Sequence, residues 1–204
     1  MSIYKSVTSK PWELQGLLGE LTPQPTFAMP SAKLALILFM TVVTVLFSLF
    51  TVTYYLRMSL GDWVPVASPP LLWLNTAFLV ISSILFQRAQ FMLKKSPDAN
   101  IKVLFSVGGV FALMFVIGQL VVWQQLNDRG LYVASNPANT FFYLLTGLHV
   151  LHLLGGLWVW GKTSLLLLSR EPDSKTALSI ELCTLYWHFL LLIWIVMFAI
   201  LANT

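Results

Sequence analysis

Five separate stretches of this sequence are each long and apolar enough to cross a lipid bilayer, and that fact restricts the fold more than any motif does. They cover residues 33–57, 71–91, 102–126, 139–167 and 177–202. A hydrocarbon core about 30 Å thick is spanned by about 20 largely apolar residues in helical form. Lipid offers the backbone no hydrogen-bonding partner, so each stretch has to satisfy its own amides, which a helix does within one segment. A membrane barrel would show alternating polarity, and that alternation is missing here. The expected fold is all-α, a polytopic bundle of five transmembrane helices. Charged residues make up 10% of the chain, against about 25% in soluble domains.

The formal net charge of +4 raises nucleic acid as a partner, but the 12 basic residues follow the crossings instead. Lys5, Lys10, Lys33, Arg88, Lys94, Lys95, Lys102, Lys162, Arg170 and Lys175 fall on one side, and Arg57 and Arg129 on the other. Basic residues are retained on the cytoplasmic side. The expectation is therefore a cytoplasmic N-terminus, an external C-terminus, a multi-pass place in a bacterial inner membrane and no nucleic-acid partner.

The single cysteine, Cys183, excludes an intrachain disulfide and a cysteine-built metal or iron–sulfur cage. The first apolar run starts near residue 33, after a tail with Pro11, Pro23, Pro25 and Pro30. We therefore expect no cleavable signal peptide, the first helix acting as the insertion signal. The chain divides into a cytoplasmic tail, residues 1–31, and a five-helix membrane domain, residues 32–204. Within the tail, Trp12, Leu14, Leu17 and Leu18 would share one face of a short interfacial helix. Pro69-Pro70, Ser96-Pro97-Asp98, Asn136-Pro137 and Glu171-Pro172-Asp173 punctuate the connections. Hinges this short place consecutive helices antiparallel. Neither internal repeats nor paired broken helices, the marks of a secondary transporter, are visible.

An ionisable side chain inside a bilayer is costly, so each one is a candidate site. The set here is His149 and His152 on the fourth helix with Glu181 and His188 on the fifth. Residues three or seven apart share a helix face, so two polar stripes are positioned to meet between these helices. Three readings follow. One is an interhelical hydrogen-bond network that draws in Thr146 and Tyr186. Another is axial ligation of a haem by His152 and His188. A third is a phospholipid headgroup site at Glu181, Arg170 and Lys175.

Gly108, Gly109, Gly118, Gly147, Gly155 and Gly156 read as close-packing positions, and Asn75 and Gln119 as amides that join helices. Trp63, Trp73, Trp123 and Tyr132 read as interfacial anchors. No HExxH, Walker or nucleophile-elbow pattern occurs, so no residue here is a candidate for catalysis.

Several ordered motifs resemble one family. The second helix carries Leu74-Asn75-Thr76 and Ser82-Ser83; the third carries Phe115, Gly118, Gln119 and Trp123. The fourth reads Thr146-Gly147-Leu148-His149-Val150-Leu151-His152 with Gly155-Gly156, and the fifth has Glu181, then Tyr186-Trp187-His188-Phe189 and Trp194. This resembles the third subunit of cytochrome c and quinol oxidases in its five-helix bacterial form. The resemblance implies a non-catalytic subunit without haem or metal of its own. It would hold phospholipid and associate with the oxidase catalytic subunit I and subunit II. Haem and copper would reside in the partner, in a respiratory complex that reduces oxygen to water with proton translocation, and a larger supercomplex is a further implied partner. Where the family has intramembrane carboxylates, this chain has Thr41-Val42, Val122 and Leu191, which leaves Glu181 alone. The alternatives are the related accessory subunit of nitric oxide reductases, a haem-b membrane anchor and a small-molecule transporter.

Overall fold

The structure, a computed structural model, describes residues 29–66, 69–95, 99–169 and 173–203. Among them are α1 (Ser31–Met58), α2 (Leu71–Lys95), α3 (Ala99–Asp128), α4 (Pro137–Ser169) and α5 (Ser174–Ala202). All five are long and apolar enough to cross a membrane, so the expected all-α, five-helix fold is the one the chain adopts. The tail with its Trp12 face, Ser96-Pro97-Asp98, Arg170 and Glu171-Pro172 lie outside the described residues.

Most helices run past the apolar stretch that announced them. Hydropathy marks the depth of the hydrocarbon, whereas the backbone keeps its hydrogen-bonding pattern until a cap or a proline stops it. Thus α2 continues through Lys94 and Lys95, and α3 begins at Ala99, ahead of Lys102. Long basic side chains lay their stems on apolar surface while the charged head reaches outward. Lys95 Nζ lies 5.0 Å from the Phe91 ring centre, and Lys162 Nζ the same distance from Trp158.

The helix starts follow the sequence punctuation. Pro137 is the first residue of α4, where its missing N–H is not needed. Asn136 precedes it and accepts through Oδ1 from the Ala138 amide at 3.1 Å. Asp173 caps α5, its Oδ1 accepting from the Thr176 amide at 2.8 Å and the Thr176 hydroxyl at 2.7 Å. Those two bonds hold the Asp173 carboxyl below the usual carboxylate range. Beyond α1, a two-pronged pairing with Arg57 does the same for Asp62.

From Leu36 onward the chain forms one compact unit. Within it α2 packs along α3, α3 on α4, α4 on α5 and α5 back on α2, closing a four-helix ring. Apolar surface gains little by leaving lipid, so packing and interhelical hydrogen bonds hold such a ring together. Three glycines make room for large side chains. A Cβ on Gly109 would lie 1.8 Å from the Trp160 indole, whose Nε1–H donates to Phe105 O at 2.9 Å. One on Gly118 would lie 2.1 Å from Asn75 Oδ1, and one on Gly156 2.6 Å from the Trp187 ring. Gly155 differs, with nothing within 4 Å of its Cβ position. Polar ties add to the packing: Ser82 donates to Gly108 O at 2.7 Å, and Trp194 Nε1–H to Thr76 Oγ1 at 2.9 Å. Trp123, expected as an interfacial anchor, is another tie, donating to Thr146 Oγ1 at 3.1 Å.

Helix α1 stands outside the ring. It makes no close backbone approach to the other four helices, and its described contacts run through long side chains. Phe47 and Phe39 lie 5.7 and 6.1 Å from the His152 ring. Tyr54 lies 4.9 Å from Trp63 and 5.7 Å from Phe141. Thr41, Thr44, Ser48, Thr51 and Thr53 each donate to a carbonyl one turn back along α1. Those five hydroxyls are thereby satisfied within the helix, so they can face lipid.

Candidate functional site

The four polar residues singled out on α4 and α5 do not share one setting. His188 faces α2, as does Thr184 one turn earlier, whose hydroxyl reaches Phe86 O. His188 Nε2 pairs with Gln87 Oε1 at 2.7 Å, and Nδ1 pairs with Ser83 Oγ. The Gln87 oxygen only accepts, so Nε2 carries the proton and Nδ1 accepts from the Ser83 hydroxyl. The ring is a neutral imidazole joining α5 to α2.

His152 turns the other way. Its Nδ1–H donates to Leu148 O at 2.7 Å, one turn back on α4, and its ring meets Phe39 and Phe47 of α1. Tyr186 Oη donates to the His152 backbone oxygen at 3.1 Å, joining α5 to α4. His149 is fully buried, with its ring edge-on to Phe115 at 5.8 Å and 5.2 Å from Trp194. Neither of its ring nitrogens has a partner in the protein.

Axial ligation of a haem needs two imidazoles, each with a nitrogen directed at the iron. Both nitrogens of His188 are engaged by α2, so His152 and His188 do not fit a haem between α4 and α5. Among the described residues, no group of three or more His, Cys, Asp or Glu is placed to hold a metal ion.

Glu181 is half-buried on α5, two turns before His188, and Lys175 is exposed in the first turn of the same helix. Arg170, their expected companion, lies outside the described residues. The partners of His188 were not singled out from the sequence as its partners. In the sequence Ser83 stands only within the Ser82-Ser83 motif, and Gln87 belongs to none of the motifs. The amides of Asn75 and Gln119 correct a further expectation: both are fully buried, yet no nitrogen or oxygen of either has a partner in the protein. They do not join helices by direct hydrogen bonds.

A groove of roughly 380 Å³ separates α1 from α5. Thr44, Phe47, Ser48 and Thr51 line it from α1, and Ile193, Val196 and Met197 from α5. Its apolar walls and satisfied hydroxyls suit a hydrocarbon chain.

No protein-family model matches the chain. It is 31% identical over 170 residues to "Cytochrome c oxidase subunit 3" of Synechocystis sp., covering 79% of this chain and 71% of that protein. A second relative of the same name, from Thermostichus vulcanus, is 27% identical over 176 residues, 82% of this chain and 85% of its own. One from Corynebacterium diphtheriae is 25% identical over 123 residues, 60% of each. With five helices long and apolar enough to cross a membrane and a relative 31% identical over 79% of this chain and 71% of its own length, the chain belongs to the cytochrome c oxidase subunit 3 family.

Proposed function

We propose that this multi-pass membrane protein serves as the non-catalytic third subunit of a bacterial haem–copper terminal oxidase. It would lie in the cytoplasmic membrane beside catalytic subunit I and subunit II. The observation that carries this reading is the 31% identity, over 170 residues, to a cytochrome c oxidase subunit 3. The chemistry of the site supports it: His188 is fully engaged in joining helices, and His152 is bonded to its own helix. Haem and copper would belong to subunit I, where oxygen is reduced to water with proton translocation. Ten of the twelve basic residues on one side support a cytoplasmic N-terminus and an external C-terminus.

This subunit's own contribution is to brace the catalytic subunit and to hold phospholipid. The groove between α1 and α5 supports the lipid part, because its walls offer carbon surface and no uncompensated charge. Lys175 in the first turn of α5, with half-buried Glu181 one to two turns further on, is suited to meet a headgroup. Arg170 is proposed for the same rim from its position in the sequence alone.

The test is purification in mild detergent through a tag on this chain, with mass spectrometry of the partners and a reduced-minus-oxidised spectrum. The expected result is a copper-containing catalytic subunit with haem bands of an oxidase. Recovery of nitric oxide reductase subunits in its place, or of a haem that stays with this chain alone, would overturn the reading.

A further inference from the structure

Asn75 of α2, Gln119 of α3 and His149 of α4 bring six polar side-chain atoms into the four-helix ring, none with a partner in the protein. All three residues are fully buried. Polar atoms left unmade in apolar surroundings are costly, and buried ones are nearly always satisfied.

Contacts with α3 place the three side chains at neighbouring turns of that helix. Asn75 is laid over Gly118, its Oδ1 2.1 Å from where that residue's Cβ would be. Gln119 is the next residue. It sits one turn from Phe115, which touches the His149 ring, and one turn from Trp123, which donates to Thr146 on α4. On α3 it therefore falls between the contacts to His149 and Thr146. Trp194 of α5 adjoins the cluster, packed beside His149 and bonded to Thr76, the neighbour of Asn75. This half of the ring holds the starts of α2 and α4 and the end of α3.

The hydroxyls of Thr76 and Thr146 and the indoles of Trp194 and Trp123, which the contacts above place beside the cluster, have no donor to lend. The Thr76 hydroxyl donates to Leu72 O and the Thr146 hydroxyl to Phe142 O. The indoles of Trp194 and Trp123 donate to those same two hydroxyls. A ligand for this cluster must donate and accept in nearly equal measure, since each amide has a donor and an acceptor and a neutral imidazole has one of each. It must be small and uncharged, because no ionised group is in the set. We infer that Asn75, Gln119 and His149 bind ordered water inside the ring, as a shared bridge between α2, α3 and α4. Such a molecule satisfies two to four buried polar partners at once, which is how internal water is held.

A density map of the purified membrane complex, at a resolution that shows ordered water, is the direct test. We expect a compact peak within hydrogen-bond distance of at least two of the three side chains, and its loss or displacement in Gln119→Leu. Side chains bonded directly to one another with no peak between them would overturn the inference, as would a peak too extended for water. The unaltered complex decides alone if Gln119→Leu fails to assemble.

Discussion

Ser83 of α2 gives its hydroxyl to Nδ1 of His188 on α5, across 105 positions of sequence. Ser83 is 3% exposed, so the bond is made where water does not compete. His188→Leu removes the acceptor and leaves a buried hydroxyl without its interhelical partner, at a cost of about 1–3 kcal/mol. The denaturation midpoint of the assembled complex should fall accordingly. Adding Ser83→Ala should cost little more, because the orphaned group is gone. Equal midpoints for His188→Leu and the unaltered protein would mean that this bond contributes nothing.

Gly109 and Gly155 should respond in opposite ways to the same substitution. Gly109→Ala drives a methyl group into the Trp160 indole, 1.8 Å away, and overpacking of that kind costs about 1–3 kcal/mol. Trp160→Phe in the same chain should recover part of the loss. Gly155→Ala meets nothing within 4 Å and should leave the midpoint unchanged or slightly raised, alanine being the better helix former. Thermal denaturation of the two variants side by side measures the contrast.

Asp173→Ala should weaken the start of α5 in a pH-dependent way. The Thr176 hydroxyl and amide hold the Asp173 carboxyl below its ordinary value. A carboxyl with a depressed folded value stabilises the protein above its unfolded value, about 3.9, and that contribution disappears as pH falls through the folded value. The variant should therefore denature at lower temperature than the unaltered protein at neutral pH. The gap should narrow below about pH 4. A gap that stays constant across that range would show that the carboxylate charge is not what holds the cap.

His152→Ala should leave every haem band of the purified complex in place. The His152 ring is bonded to Leu148 O and packed on Phe47, and His188 has no nitrogen to offer a shared iron. Loss of a Soret component in this variant would contradict that geometry.

Filling the α1–α5 groove should displace lipid. Val196 lines it and is half exposed, so Val196→Trp places an indole where an acyl chain would lie. Phospholipid retained per complex, measured by lipid mass spectrometry, should drop while partner recovery is unchanged. Undiminished lipid would argue against this groove as a lipid site.

Helix number and class were legible because lipid leaves the backbone one way to satisfy itself, so five apolar runs had to become five helices. The caps were legible too: Asn136-Pro137 and Asp173 have only local chemistry to obey. The partners of the histidines were not. Seven-residue spacing placed Glu181 and His188 on one face of α5, but it does not say whether that face meets α2 or α4, and the ring closes so that His188 meets α2. Asn75 and Gln119 read as interhelical glue because a buried amide ordinarily finds a partner. Gly118 lets Asn75 lie against bare backbone instead, a consequence of packing that residue spacing does not encode. Gly155 resembles Gly156 in sequence, yet only Gly156 has an aromatic ring over it.

The detached position of α1 sets an order of events during synthesis. Its aromatic side chains rest on Phe141, His152 and Tyr186, which the ribosome delivers on the order of a hundred residues later. Until then α1 has to wait in the bilayer alone, and the hydroxyls of Thr41, Thr44, Ser48, Thr51 and Thr53, bonded within the helix, need no partner from another helix during that wait. A helix fitted for solitary residence can join last, after the other four have closed on one another.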